Sequence, residues 1–218
     1  MIEAASFVRL AAAALVAAAV SVSLACGNRP PADNPEDYVR RVLASRAAKD
    51  ADFQKASEPI LDEKKATFLP LAYFPVDPSY NVVAGLEPEK EEIVVMMPTS
   101  TGQMRKMRQV GQMHFTLKGQ PMSLVSFVEV GAPDMNRLTL MFSDMTSGTE
   151  TYAAGRYLDL DRTASDLYSL DFNLAYHPYC YYNPAYDCPF PPAENRLNVP
   201  IHAGERMRKP GETAASPR

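Results

Sequence analysis

Asp144 and Arg156 flank the polar turn Met145-Thr146-Ser147-Gly148, which follows an apolar run ending at Phe142. If the runs on either side form adjacent strands, the two side chains come close. An arginine fork beside a carboxylate either holds an anionic ligand or closes a salt bridge. A second group follows in Asp171-Phe172-Asn173, Tyr176, Asn183, Glu194 and Asn195. Acids and amides around aromatic rings can orient a polar substrate, and the same residue types satisfy loop backbone through local turns. Tyr152, Tyr176, Tyr181 and Tyr182 would supply stacking walls, and Asp144, Asp171 or Glu194 a general base.

A third group is His177, Cys180 and Cys188. A histidine with two cysteines invites a zinc reading, but the cysteine spacing does not fit a Cys-x-x-Cys knuckle and a fourth ligand is missing. A Cys180 nucleophile aided by His177 is a further option. The chain carries eleven methionines, several of them between Met96 and Met122, and thioethers can bind Cu(I). Arg105, Lys106 and Arg108 are interleaved with them, so gap-filling in a core is the simpler account. The reading is of no metal and no cofactor.

The compartment comes from the N-terminus. Leu10–Ala25 is an uninterrupted run of Ala, Val, Leu and Ser, too short and weakly apolar for a spanning helix and suited to a signal peptide. It ends Ser23-Leu24-Ala25-Cys26, which resembles a bacterial lipoprotein signal. Residues 1–25 would then be the leader, Cys26 the lipid-bearing residue, and residues 26–34 a Pro-rich tether. The expected location is the cell envelope, anchored to a membrane and facing the periplasm or the exterior. With Cys26 acylated, Cys180 and Cys188 remain as a pair in an oxidising compartment, and a disulfide is expected.

The net charge of −4 argues against nucleic acid as a partner. No phosphate-cradling loop, dinucleotide glycine fingerprint, nucleophile elbow or zinc-protease helix is present. Oligomeric state is not legible.

The elements that must position these groups are mostly strands. Asn34, Pro35, Glu36 and Asp37 start a helix over 35–57, with Tyr38, Val42, Leu43, Ala47 and Phe53 on its apolar side. Arg40, Arg41, Arg46 and Lys49 are assigned to the solvated side. Strands are expected at 67–74, 80–84, 92–97, 113–117, 122–130, 137–142, 151–158 and 168–172, with a last one at 198–203. Lys118-Gly119-Gln120-Pro121 marks a hairpin. Leu124, Val125, Phe127, Val128 and Val130 are too continuously apolar for a one-sided strand, which implies cover on both faces. The expected fold is mainly β: an antiparallel barrel or strongly curved sheet with an N-terminal helix, in one domain over 35–205 with a flexible tail over 206–218. A two-sheet sandwich is the rival.

At these residues the chain resembles the bacterial domain-of-unknown-function family 1684. Phe142-Ser143-Asp144, Thr146-Ser147-Gly148 and Thr151–Leu158 resemble one half of its signature. Asp171-Phe172-Asn173, Ala175-Tyr176, Cys180, Asn183-Pro184, Cys188-Pro189, Asn195-Arg196-Leu197 and Ala203-Gly204-Glu205 resemble the other. The resemblance implies that Asp144, Tyr152, Arg156, Asp171, Asn173, Tyr176, Cys180, Asn183, Cys188, Asn195 and Glu205 occupy recurring positions, and it brings no settled activity. His177 and Tyr179 stand where Asn and Pro are expected, and Pro70 where Gly is. The functional expectation is a lipid-anchored protein binding a small polar or anionic ligand between the 144–156 turn and the 171–195 loop. A hydrolase and an envelope scaffold are the alternatives.

Overall fold

A computed structural model describes residues 34–209 and 211–212. The leader, Cys26 and nearly all of the tether lie outside the described residues. Residues from Asn34 onward form one compact unit.

Helix α1, Pro35–Lys55, begins where the capping residues place it, with the Asn34 side chain accepting the Glu36 amide at 3.1 Å. Six strands follow: β1 Asn81–Pro98, β2 Met104–Leu117, β3 Gln120–Glu129, β4 Arg137–Phe142, β5 Arg156–Asp161 and β6 Leu167–Asp171. They form a single antiparallel sheet in the order β5-β4-β3-β2-β1-β6, curled into a nearly closed barrel. The barrel expectation therefore stands, and the sandwich does not.

Five of the expected runs change. The two runs at 80–84 and 92–97 are one long strand, β1, interrupted by a register shift between Pro88 and Ile93. Residues 67–74 do not form a strand: a short helix, α2 (Lys65–Phe68), precedes an extended segment with one bridge, Tyr73 to Glu205. The 151–158 run becomes strand only at Arg156, and 198–203 is irregular. Irregular backbone in both places is carried by side-chain hydrogen bonds.

Strand β3 is covered on both faces, as its composition requires. Leu124 and Val128 belong to the barrel core with Leu138, Leu140, Phe142 and Phe172. Val125 and Phe127 belong to a second cluster with Met97, Met107, Met141, Tyr157, Cys180 and Cys188. Alternation along the strand places that second cluster on the outer face of the sheet, beneath the loop that follows β6. A third cluster joins Phe53 of α1 to Ile60, Leu69, Leu71 and Tyr182.

Candidate functional site

The Asp144–Arg156 pair is formed, with Arg156 Nη2 donating to Asp144 Oδ2 at 2.8 Å. Gly155, with φ +85°, turns the chain into β5 just before it; a side chain there would strike the Phe142 carbonyl and Pro191. The guanidinium is 0 % exposed and also donates to the carbonyls of Ile201, Ala203 and Glu205. Asp144 is filled from its other side by Thr146, through its amide and hydroxyl, and by the Ile201 amide. Burial draws the arginine pKa down, opposed chiefly by Asp144. The guanidinium is fully enclosed with four acceptors; its Nε alone has no partner, and no opening reaches it. Arg156 is thus corrected from ligand anchor to cross-link, pinning the irregular 201–205 segment to the barrel.

Most of the other expected site residues are similarly engaged. Asp171 accepts from the Tyr38 hydroxyl and from both nitrogens of Asn173, which itself bridges to the Asp77 backbone. Asn195 is 0 % exposed and spans β3 and β4: its amide nitrogen donates to the carbonyls of Val125 and Met141, and its oxygen accepts the Val125 amide. Asn183 accepts the Ala185 amide, and the Tyr176 hydroxyl donates to Asp159. Glu194 is exposed, away from this network. These residues tie α1, the sheet and the loops together and do not converge on one opening.

Glu205 heads a further network. Gly204, with φ +77°, lets the chain turn where a side chain would collide with the Phe172 and Ala175 carbonyls. The Glu205 carboxylate receives Lys49 Nζ at 2.5 Å, the Tyr182 hydroxyl at 2.6 Å and the His177 amide at 2.7 Å. Burial pushes its pKa up, but Lys49, His177 and Tyr182 bring it net below the usual carboxylate range. His177 Nδ1 lies 3.7 Å from Glu205, while Nε2 accepts the Tyr152 amide at 3.2 Å. Burial lowers the His177 pKa to about 4. The imidazole is therefore neutral near pH 7, and its proximity to Glu205 is not an ion pair.

Cys180 and Cys188 are buried free thiols, so the disulfide expectation is corrected. The Cys180 amide donates to Cys188 Sγ at 3.3 Å. Cys188, Ser100 and Tyr152 favour the charged form of the Cys180 thiol. With the Cys188 contact foremost, these lower the Cys180 pKa to about 6. Among the described residues no group of three or more His, Cys, Asp or Glu side chains could hold a metal ion.

Open space lies elsewhere, beside α1. A cleft of about 600 Å³ is bounded by Leu43, Arg46, Ala47 and Asp50 of the helix, by Pro70, Leu71, Tyr73, Phe74 and Pro75, and by Glu150, Arg206, Lys209 and Glu212. A smaller pocket of about 190 Å³ shares Leu71 and Arg206 with it and is floored by His177, Tyr181, Tyr182 and Glu205. Arg46 is only 8 % exposed, and its guanidinium lies 4.5 Å from the Tyr73 ring centroid. Its Nη atoms donate to the Phe74 and Asn173 carbonyls. Its Nε and the Tyr73 hydroxyl are buried without a partner; among the described residues the only other such side-chain atom is Nε of Arg156. Asp50 accepts the Leu71 amide, and burial raises its pKa.

Arg46 is corrected from solvated to buried, and Lys49 from solvated to the partner of Glu205. The sequence carried one signal for Arg46: it continues the i, i+4 stripe of Tyr38 and Val42. Tyr73 carried none. Arg206 and Arg208, assigned to a flexible tail, are held by the carbonyls of Tyr73, Phe68 and Pro70.

Comparison with known proteins agrees with the resemblance. The profile of a family described as a protein of unknown function, domain-of-unknown-function family 1684, matches residues 66–206. The solution NMR structure of an uncharacterized protein of Haloarcula marismortui is similar. It is 34% identical with a TM-score of 0.62, over 79% of this chain and 95% of that one. A comparison with curated proteins finds no match. The chain belongs to family 1684.

Proposed function

We propose that this member of family 1684 is a lipid-anchored envelope protein that binds a small polar or anionic ligand in the cleft beside α1. The observation that carries the ligand reading is the pair of unpartnered buried donors, Arg46 Nε and the Tyr73 hydroxyl, on residues lining one cleft. A buried donor without an acceptor costs about 1–3 kcal/mol, and an acceptor oxygen on a ligand would remove that cost. The volume suits a small molecule. Carboxylate, phosphate and hydroxyl oxygens all fit two donors. The anchoring part rests on the sequence that ends at Cys26.

The alternative, a hydrolase, moves to a different acid. Asp144 and Asp171 are enclosed, whereas Asp50 lines the cleft with a raised pKa. It would be the general base, and Asp50→Asn would abolish turnover while leaving binding in place.

Native mass spectrometry of the chain purified from its own host tests the binding reading. The expected result is a co-purifying small molecule that is lost in Arg46→Gln. A bare mass in both proteins contradicts it.

A further inference from the structure

We propose that Cys180 and Cys188 form a two-sulfur site for Cu(I), independent of the cleft. The two cysteines meet, the Cys180 amide donating to Cys188 Sγ at 3.3 Å, although one follows a loop turn and the other pairs with the β1–β2 tip through Ser100. Both are buried in the cluster that holds the thioethers of Met97, Met107 and Met141. Thiolates and thioethers are soft ligands, which select Cu(I) among biological first-row ions.

The composition of the cluster narrows the choice. Structural zinc takes four ligands in tetrahedral geometry, and no third His, Cys, Asp or Glu joins the two sulfurs among the described residues. Cu(II) prefers nitrogen and oxygen ligands, whereas the two sulfurs sit among thioethers and aromatic rings. The basic residues that count against a cation in the sequence are also otherwise engaged where it matters. Arg105 donates to Asp187 at 2.9 Å and to Glu129 at 3.4 Å.

Binding forms two S–Cu bonds to the two thiolates and releases whatever thiol protons they still carry, with no change of oxidation state. Ser100, whose hydroxyl oxygen accepts the Cys188 amide at 3.0 Å and whose proton goes to the Tyr186 carbonyl, would hold Cys188 in place.

The test uses the full reduced chain carrying Cys26→Ser, so that Cys180 and Cys188 are its only thiols. Under anaerobic conditions, Cu(I) is titrated in against the chromogenic chelator bicinchoninate. The chain should withhold one Cu(I) per molecule, develop a thiolate-to-copper absorption band, and protect both thiols from iodoacetamide. Cys180→Ser and Cys188→Ser should each weaken binding about 100-fold or more. The alkylation readout on the chain with both thiols intact keeps the test valid if either variant fails to fold. Failure to compete with the chelator, equal binding by a serine variant, or Zn(II) binding preferred over Cu(I) at the same thiols would each overturn the proposal. So would a stable Cys180–Cys188 disulfide that withstands reductant.

Discussion

The enclosed networks around Asp144–Arg156, Asp171–Asn173 and Glu205 differ from the α1 cleft in how far their polar groups are satisfied. In the first region almost every buried donor meets a protein acceptor, and the Asp144 carboxylate alone accepts from Arg156, Thr146 and Ile201. In the second, Arg46 Nε and the Tyr73 hydroxyl have none. A polar group that is fully paired within the fold is there to hold irregular backbone, and one left unpaired beside open space is where a ligand can add binding energy. Density of chemically capable residues does not by itself mark a site, and the proposal rests instead on incomplete satisfaction beside open space.

The largest test of this contrast is Arg156→Met. It strands the Asp144 carboxylate and three carbonyls in the interior, and a loss of about 3–5 kcal/mol is expected in urea unfolding. A loss below 1 kcal/mol would mean that the pair is dispensable to the fold and free for another role.

Next in size is pH. His177 titrates at about 4 in the fold, below its ordinary value of 6.5. The unfolded chain takes up that proton first. Stability from this group is therefore full above pH 6.5 and is lost as pH falls towards 4, by roughly 3 kcal/mol. Glu205, whose pKa is also lowered, acts in a more acidic window, losing its contribution as pH falls below the ordinary carboxylate range. Chemical denaturation between pH 7 and 4 should show the His177 slope, and His177→Asn should flatten it.

Asn195→Ala removes the partner of Val125 on both its backbone groups and of the Met141 carbonyl. A loss of about 2–3 kcal/mol is expected, read from the same unfolding curves. Glu194→Gln, a change to an exposed side chain in the same loop, should alter stability by less than about 0.5 kcal/mol.

The fold was legible because periodicity and turn residues report on local geometry. The β3 run Leu124–Val128 announced a strand buried on both sides, although Val130 beyond its end is exposed, and Asn34-Pro35 announced the start of α1. The 67–74 segment misled because its apolar residues pack under α1 and Tyr182 without pairing as a strand. The site was less legible. Asp144, Arg156, Asp171 and Asn195 have the residue types of a binding site, and only their partners reveal them as cross-links. The cleft brings Arg46 and Tyr73 together from separate elements through packing, which spacing along the chain does not encode. Arg46 on an apolar stripe was the one visible trace.

A small effect on stability is also expected in the cleft, and it is the most telling. Tyr73→Phe deletes only a hydroxyl that has no partner, so the unliganded chain should be unchanged or more stable by up to about 1 kcal/mol.

The most direct measurement pairs Tyr73→Phe with Tyr152→Phe in native mass spectrometry of protein purified from its own host. The account predicts a bound small molecule in the parent and in Tyr152→Phe, and its loss in Tyr73→Phe without loss of stability. A molecule retained by Tyr73→Phe and lost from Tyr152→Phe would return the site to the 144–156 turn and contradict the account.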